Sequence, residues 1–294
     1  MSIQDALAER AGAIERALDT LLAPLAGPEA RLLEAMRYAT LGGGKRLRGF
    51  LVCEVAALFG ADDEGALRVA ASVEMLHAYS LVHDDLPAMD DDALRRGQPS
   101  AHIRFDEATA ILAGDALQTL AFGTLADPRT HGQASVRIAL VAALAEAAGA
   151  AGMVGGQMID MLGEGRDLDL AEIEHLHALK TGRLIRYSAE AGAILGGAAA
   201  AERAAIAGYG ADLGAAFQVA DDVLDATADA AALGKTAGKD AQVGKSTYVA
   251  RLGVEGARAA AERLASRAAE RLGDFGSAAA RLRALARYVV ERRH

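Results

Sequence analysis

The chain has 294 residues, enough for a sizeable core in one large domain or two ordinary ones. Hydrophobic residues make up 52% of it, yet aromatics only 4% and tryptophan is absent, so alanine and leucine carry the apolar content. Both favour helix over strand, and composition points to an all-α fold. The net charge of -9 disfavours a nucleic-acid partner held by an overall positive field, but local Lys and Arg or a metal can still build an anion site.

The first helix is predicted from Ile3, Leu7, Ile14, Leu18 and Leu21/Leu22, ending near Pro24 and Pro28. Nothing at Met1-Ser2-Ile3-Gln4-Asp5 reads as a secretory leader. Residues 29–41 form a second helix closed by Gly42-Gly43-Gly44, and residues 47–60 a third. Cys53 lies in that third helix. As the single cysteine it excludes an intramolecular disulfide, which suits a reducing cytosol, and its apolar neighbours make it a packing residue. A long helix follows over 63–85, interrupted by Pro87, and helices resume at about Asp106. Pro128 and Gly132 break them once; beyond Arg129 there is no proline, and glycines and polar turns near 163–165, 196–197, 229–244 and 273–274 separate the helices. No strand alternation competes. The longest weakly polar run, 191–201, is too short to span a bilayer, so no stable membrane insertion is expected and a cytoplasmic location is. The expected architecture is one domain, 1–294, with antiparallel helices around a central cavity.

Two acidic segments stand out. In Val73–Asp92 an apolar stripe runs into His77, Leu81 and Asp84 on one helical face, and Asp84, Asp85, Asp90, Asp91 and Asp92 follow closely. Carboxylates crowded at the end of a buried helix repel one another unless a hard cation such as Mg²⁺ sits among them. Asp84 and Asp90 share no helical face, but a helix ended by Pro87 lets Asp90 fold back. A solvated acidic turn is the plainer alternative; a calcium loop lacks its alternating pattern and closing Glu. In the second segment Gln218, Asp221 and Asp225 are spaced three and four apart, hence on one face, while Asp222 points elsewhere to cap or pair locally.

Basic elements flank these clusters: Gly42-Gly43-Gly44-Lys45-Arg46-Leu47-Arg48, Arg95-Arg96, Lys180-Thr181-Gly182-Arg183, Gly234-Lys235 and Gly244-Lys245. None is a Walker A loop. Each cation alone is most simply a surface charge, whereas the set beside two acidic clusters reads as a diphosphate site.

In these motifs, and in Leu94-Arg95-Arg96-Gly97, Ala113-Gly114-Asp115, Gly155-Gly156-Gln157 and Phe217–Asp225, the chain resembles the trans-prenyltransferases of the polyprenyl synthetase family, in particular its bacterial short-chain, C15-producing members. The resemblance covers nearly the whole chain. It implies a magnesium-dependent transferase, commonly a homodimer, that condenses isopentenyl diphosphate with dimethylallyl or geranyl diphosphate to farnesyl diphosphate. It implies three Mg²⁺ ions on Asp84, Asp90 and Asp221, with Asp85 and Asp225 assisting. Arg95, Lys180 and Lys235 would grip the allylic diphosphate. Lys45, Arg48, His77 and Arg96 would hold isopentenyl diphosphate, and Thr181 and Gln218 would turn oxygens toward the carbocation. Gly49 and Ala220 depart from the family pattern, where proline and a polar residue are frequent. Tyr79, five residues before Asp84, is expected to limit product length. A C10 or C20 synthase, an all-α metal phosphohydrolase and a non-catalytic subunit remain as alternatives.

Overall fold

A computed structural model describes residues 2–227 and 246–292. The described chain is all-α apart from one short hairpin, as composition led us to expect. Its helices are α1 (Ile3–Leu21), α2 (Ala30–Leu41), α3 (Leu47–Leu58), α4 (Asp63–Asp84), α5 (Ala101–Arg104), α6 (Glu107–Ala126), α7 (Ala134–Ala148), α8 (Met153–Gly163), α9 (Leu170–His177), α10 (Arg183–Leu195), α11 (Ala200–Thr227), α12 (Tyr248–Glu270) and α13 (Ala280–Glu291). A π-helical turn, Ala178–Gly182, joins α9 to α10, and a 3₁₀ stretch, Gly273–Ala279, precedes α13. The chain divides into two compact units, Met1–Cys53 with Asp62–Val141, and Glu54–Ala61 with Ala142–His294.

In the first unit α4 is the central element, packed on α1, α2 and α6. Asp62 caps it by accepting from Gly65 N–H at 3.0 Å, and Asp63 and Glu64 suit the positive helix start. Val69, Ala70, Ala71, Val73, Met75 and Leu76 are all fully buried, so α4 is apolar nearly all round rather than striped. Each such Val, Met or Leu contributes roughly 1.5–3 kcal/mol of transfer free energy. That burial outweighs the weak amphipathicity and fixes where the acidic end of α4 emerges. Sequence alternation did not predict the hairpin, β1 (Leu94–Arg95) with antiparallel β2 (Gln98–Pro99). Its turn is built on Arg96 and Gly97 at φ 52° and 74°, the paired positive φ that a tight two-residue hairpin turn requires.

In the second unit α11 packs on α10, α12 and α13. The buried carboxylate of Asp212 in α11 ties α12 to it: Arg267 donates to Oδ1 from Nε at 2.9 Å and Nη2 at 2.6 Å, and Arg271 donates to Oδ2. The π-helical turn lies between two glycines. A Cβ on Gly156 of α8 would lie 2.2 Å from Lys180 N, and one on Gly214 of α11 would lie 3.0 Å from Gly182 Cα. Only bare backbone lets these helices approach so closely.

By length and composition α6 and the stretch 134–163 are apolar enough to cross a bilayer, which corrects the reading of 191–201 as the longest weakly polar run. The second stretch is broken between α7 and α8. Both expose large apolar side chains, Ile111 and Leu112 on α6 and Met158 and Leu162 on α8 among them.

The Gly156 contact is with backbone, so a methyl group there has no side chain to displace. Gly156→Ala should destabilise the protein by about 1–3 kcal/mol or more, seen as a lower urea midpoint; an unchanged midpoint would show that α8 can shift freely.

Candidate active site

The end of α4 builds the first acidic cluster. Pro87 has no N–H and the helix stops at Asp84. The chain then turns back: Asp90 N–H donates to Asp84 C=O at 2.9 Å, and Asp92 N–H to Asp85 C=O at 3.2 Å. Asp91 takes a positive φ of 49° to close this turn. Asp84 and Asp90 are therefore backbone neighbours and half-buried, although six positions separate them. Asp85 has a different environment. It is 2% exposed and is gripped by Arg95, which donates from Nε at 3.0 and 3.2 Å and also from Nη2. Asp92 lies 3.8 Å from the same guanidinium. Arg95 is thus held beside the turn by the carboxylate of Asp85.

The glycine-rich loop lies in the same unit. Arg96 donates to Gly43 C=O, and its guanidinium packs against Gly44, so the loop before α3 and the hairpin turn adjoin. Of the cations in that loop, Arg46 is taken inward. It is 5% exposed at φ 47° and donates to Thr40 C=O at 2.6 Å, with Glu74 at 3.5 Å and Glu15 at 3.4 Å. Lys45 is exposed and Arg48 half-buried. Glu74, itself buried, accepts from Gly49 N–H at 2.9 Å. Proline has no such hydrogen to donate, so glycine at 49 gains a bond that proline would forfeit.

His77 lies one turn beyond Glu74 on α4. Burial holds its pKa well below the usual imidazole value, reinforced by the positive charges of Arg48, Arg96, Arg95 and Arg46. A neutral imidazole amid arginines is a hydrogen-bonding group in a strongly cationic surround, a setting suited to a diphosphate. Tyr79, 7% exposed, packs edge-on against His83 with ring centres 5.3 Å apart.

In the second unit the π-helical turn carries Lys180 and Thr181. Lys180 Nζ donates to Asp160 of α8 at 2.6 Å. Thr181 Oγ1 donates to Gln218 Oε1 at 2.9 Å, and Gln218 Nε2 donates to Asp222 Oδ1 at 3.0 Å. Asp222 also accepts from Tyr248 N–H, the first residue of α12, at 2.9 Å. The expected local pairing of Asp222 is therefore present, and burial pushes its pKa up to about 7. Asp221, one position earlier and 39% exposed in its side chain, accepts from Arg292, whose guanidinium also stacks 4.1 Å from the centre of the Phe217 ring. Asp225 is exposed. Lys235, with Gly234 and Gly244-Lys245, lies outside the described residues.

Asp160, Asp222, Glu74 and Arg292 were not predicted as site residues. The adjacent Asp pair gave a partial signal for Asp222; the others act across helices distant in sequence. Among the described residues no three His, Cys, Asp or Glu side chains already converge as a metal cage. The donor set nonetheless fits Mg²⁺, a hard ion that takes one or two carboxylates and completes its shell with waters and substrate phosphates.

The polyprenyl synthetase family profile matches residues 29–281. A farnesyl diphosphate synthase of Escherichia coli is 46% identical over 284 residues, covering 94% of both chains. An FPP/GFPP synthase from Zymomonas mobilis superposes with a TM-score of 0.89 at 44% identity, covering 98% of each chain. A Helicobacter pylori geranyltransferase, complexed with magnesium and isoprenyl diphosphate, gives 0.84 at 32% identity over 97% of this chain and 96% of that one. The chain belongs to the polyprenyl synthetase family.

Desolvation, aided by Lys180 and opposed by Asp160, lowers the pKa of His177 to about 4 from 6.5. Between those values the unfolded chain binds the extra proton, so this contribution to stability is complete above pH 6.5 and is lost as pH falls toward 4. Between pH 7 and 4.5 the wild type should lose up to about 3 kcal/mol more stability than His177→Asn in urea titrations; parallel losses would contradict it.

Proposed function

We propose that the chain is a magnesium-dependent prenyltransferase that adds isopentenyl diphosphate to dimethylallyl and then geranyl diphosphate, releasing farnesyl diphosphate and inorganic diphosphate. The observation that carries this reading is the fold-back at Pro87, which sets Asp84 beside Asp90 next to an arginine-rich nest, in a chain of this family. Residues 1–294 are read as one synthase domain, since the family match runs through residues of both compact units.

Asp84, Asp90 and Asp221 would hold magnesium, three ions in all, which neutralises the leaving diphosphate as the allylic C–O bond breaks. Asp85 acts one step back by fixing Arg95. Arg95, Lys180 and Lys235 bind the allylic diphosphate. Lys45, Arg48, Arg96 and the neutral His77 bind isopentenyl diphosphate, and their charge offsets that of its phosphates. Thr181 and Gln218 place oxygens toward the electron-poor allylic carbon. The isopentenyl double bond attacks that carbon to form the new C–C bond, and the adjacent proton leaves to the released diphosphate. The buried apolar residues of α4 above Asp84 would exclude water that would quench the cation.

A homodimer is supported by the uncovered apolar side chains of α6 and α8. Val154, Met158 and Leu162 repeat every fourth residue and are 45%, 57% and 63% exposed, one stripe along α8 suited to a second copy. With this occupant a cytoplasmic location needs no membrane partner.

Purified protein with Mg²⁺, isopentenyl diphosphate and dimethylallyl diphosphate should release diphosphate, and EDTA should stop it. Asp84→Ala and Asp221→Ala should each cut turnover by about a hundredfold or more while leaving the circular dichroism spectrum intact. No turnover with any allylic primer would overturn the reading.

Product length is a separate question, because one similar structure is described as an FPP/GFPP synthase. Tyr79 is large, nearly buried and one turn above Asp84. Tyr79→Ala should shift the product from C15 toward longer chains by mass spectrometry; unchanged length would place the limit elsewhere.

A further inference from the structure

The mechanism gives Asp222 no task, yet it is the more buried member of the Asp221-Asp222 pair, at 8% exposure. Its two oxygens are both committed. Oδ2 accepts from Tyr248 N–H at 2.9 Å, and a backbone N–H can only donate. Oδ1 faces the Gln218 amide at 3.0 Å, and when Asp222 is ionised only the NH₂ end of that amide can bond it. The ionised form therefore orients Gln218: its Oε1 points the other way, where it lies 2.9 Å from Thr181 Oγ1. Glutamine oxygen carries no proton, so the Thr181 hydroxyl must supply the one in that bond. Thr181 has no second proton. Whatever else approaches its oxygen meets lone pairs.

The chain of donors is held by fixed backbone at both ends. Tyr248 opens α12, where Thr247 Oγ1 caps the helix by accepting from Ala250 N–H at 3.2 Å. At the other end, Gly214 admits the backbone of Gly182 and so brings the π-helical turn against α11.

We propose that Asp222 is a positioning residue that sets the polarity of Thr181 through Gln218, so that an oxygen lone pair and not an O–H faces the electron-poor allylic carbon. The inference rests on the roles given above to Thr181 and Gln218. An asparagine at 222 reverses every step. Its one oxygen goes to Tyr248 N–H and its NH₂ to Gln218. Gln218 then turns over and presents NH₂ to Thr181, whose proton is driven outward. A glutamate at 218 undoes the reversal. Its carboxylate accepts from Asn NH₂ on one side and from the Thr181 hydroxyl on the other, and the pair keeps the same total charge.

The test compares Asp222→Asn, the double variant Asp222→Asn/Gln218→Glu, and Thr181→Val, measuring kcat, both substrate KM values and the half-saturating Mg²⁺ concentration. Asp222→Asn should lower kcat by about ten- to a hundredfold, with the KM values and Mg²⁺ requirement unchanged within about twofold. The double variant should recover kcat to within about fivefold of wild type. A double variant as slow as Asp222→Asn overturns the proposal, as does a raised Mg²⁺ requirement in Asp222→Asn, which would place Asp222 in the metal site. If Thr181→Val is slow but Asp222→Asn is not, the proposal alone fails; if Thr181→Val turns over like wild type, the role of Thr181 fails first.

Discussion

Charged carboxylates that are crowded together or cut off from water are the constraint on which the rest of this structure depends. At about 4 Å in a partly buried site, two such charges repel by roughly 4 kcal/mol, a large share of the stability of an ordinary domain. The chain answers it unevenly. Asp85 is buried against Arg95, Asp212 against Arg267 and Arg271, Asp160 against Lys180, and Asp222 against the donors of Gln218 and Tyr248. Asp84 and Asp90 are brought together by a backbone turn at the end of α4. Concentrating charge there makes chemical sense for a protein whose proposed substrate arrives as a metal diphosphate. Arg292 stands beside Asp221, a carboxylate proposed as a metal ligand.

The cationic side is sorted in the same way. Lys45, Arg46 and Arg48 look interchangeable in sequence, but Arg46 is buried to brace its own loop, held by Thr40, Glu15 and Glu74. Among the described residues three non-glycine ones, Arg46, Asp91 and Arg96, take positive φ, and each sits in a loop that carries charge. Such conformations persist only where surrounding bonds over-determine them. The Thr40 carbonyl, the turn at Asp84 and the hairpin provide those bonds.

Legibility in the sequence followed the range of the interactions. Helix content came from alanine and leucine, and the common face of Gln218, Asp221 and Asp225 from spacing within one helix. Asp84 and Asp90 were harder, because a loop brings them together; Pro87 signalled that the helix ends and that Asp90 can fold back, but not the backbone bonds that close the turn. The partners of Lys180, Asp221 and Gly49 are 20, 71 and 25 residues away, and no local pattern encodes them. The π-helical turn was not predicted: its residues showed in the sequence only as the basic element Lys180-Thr181-Gly182-Arg183, and the glycines that admit it, Gly156 and Gly214, lie in α8 and α11. The departure at Gly49 has a physical reason in the bond to Glu74, and Ala220, 6% exposed, fits an apolar position.

The central claim is that the acidic clusters take up metal together with a diphosphate and not before it. Calorimetric titration of Mg²⁺ into the protein, with and without inorganic diphosphate, tests it most directly. The account predicts weak metal binding alone and binding of several ions, at least about tenfold tighter, once diphosphate is present. Equal affinity and stoichiometry in both titrations would contradict it.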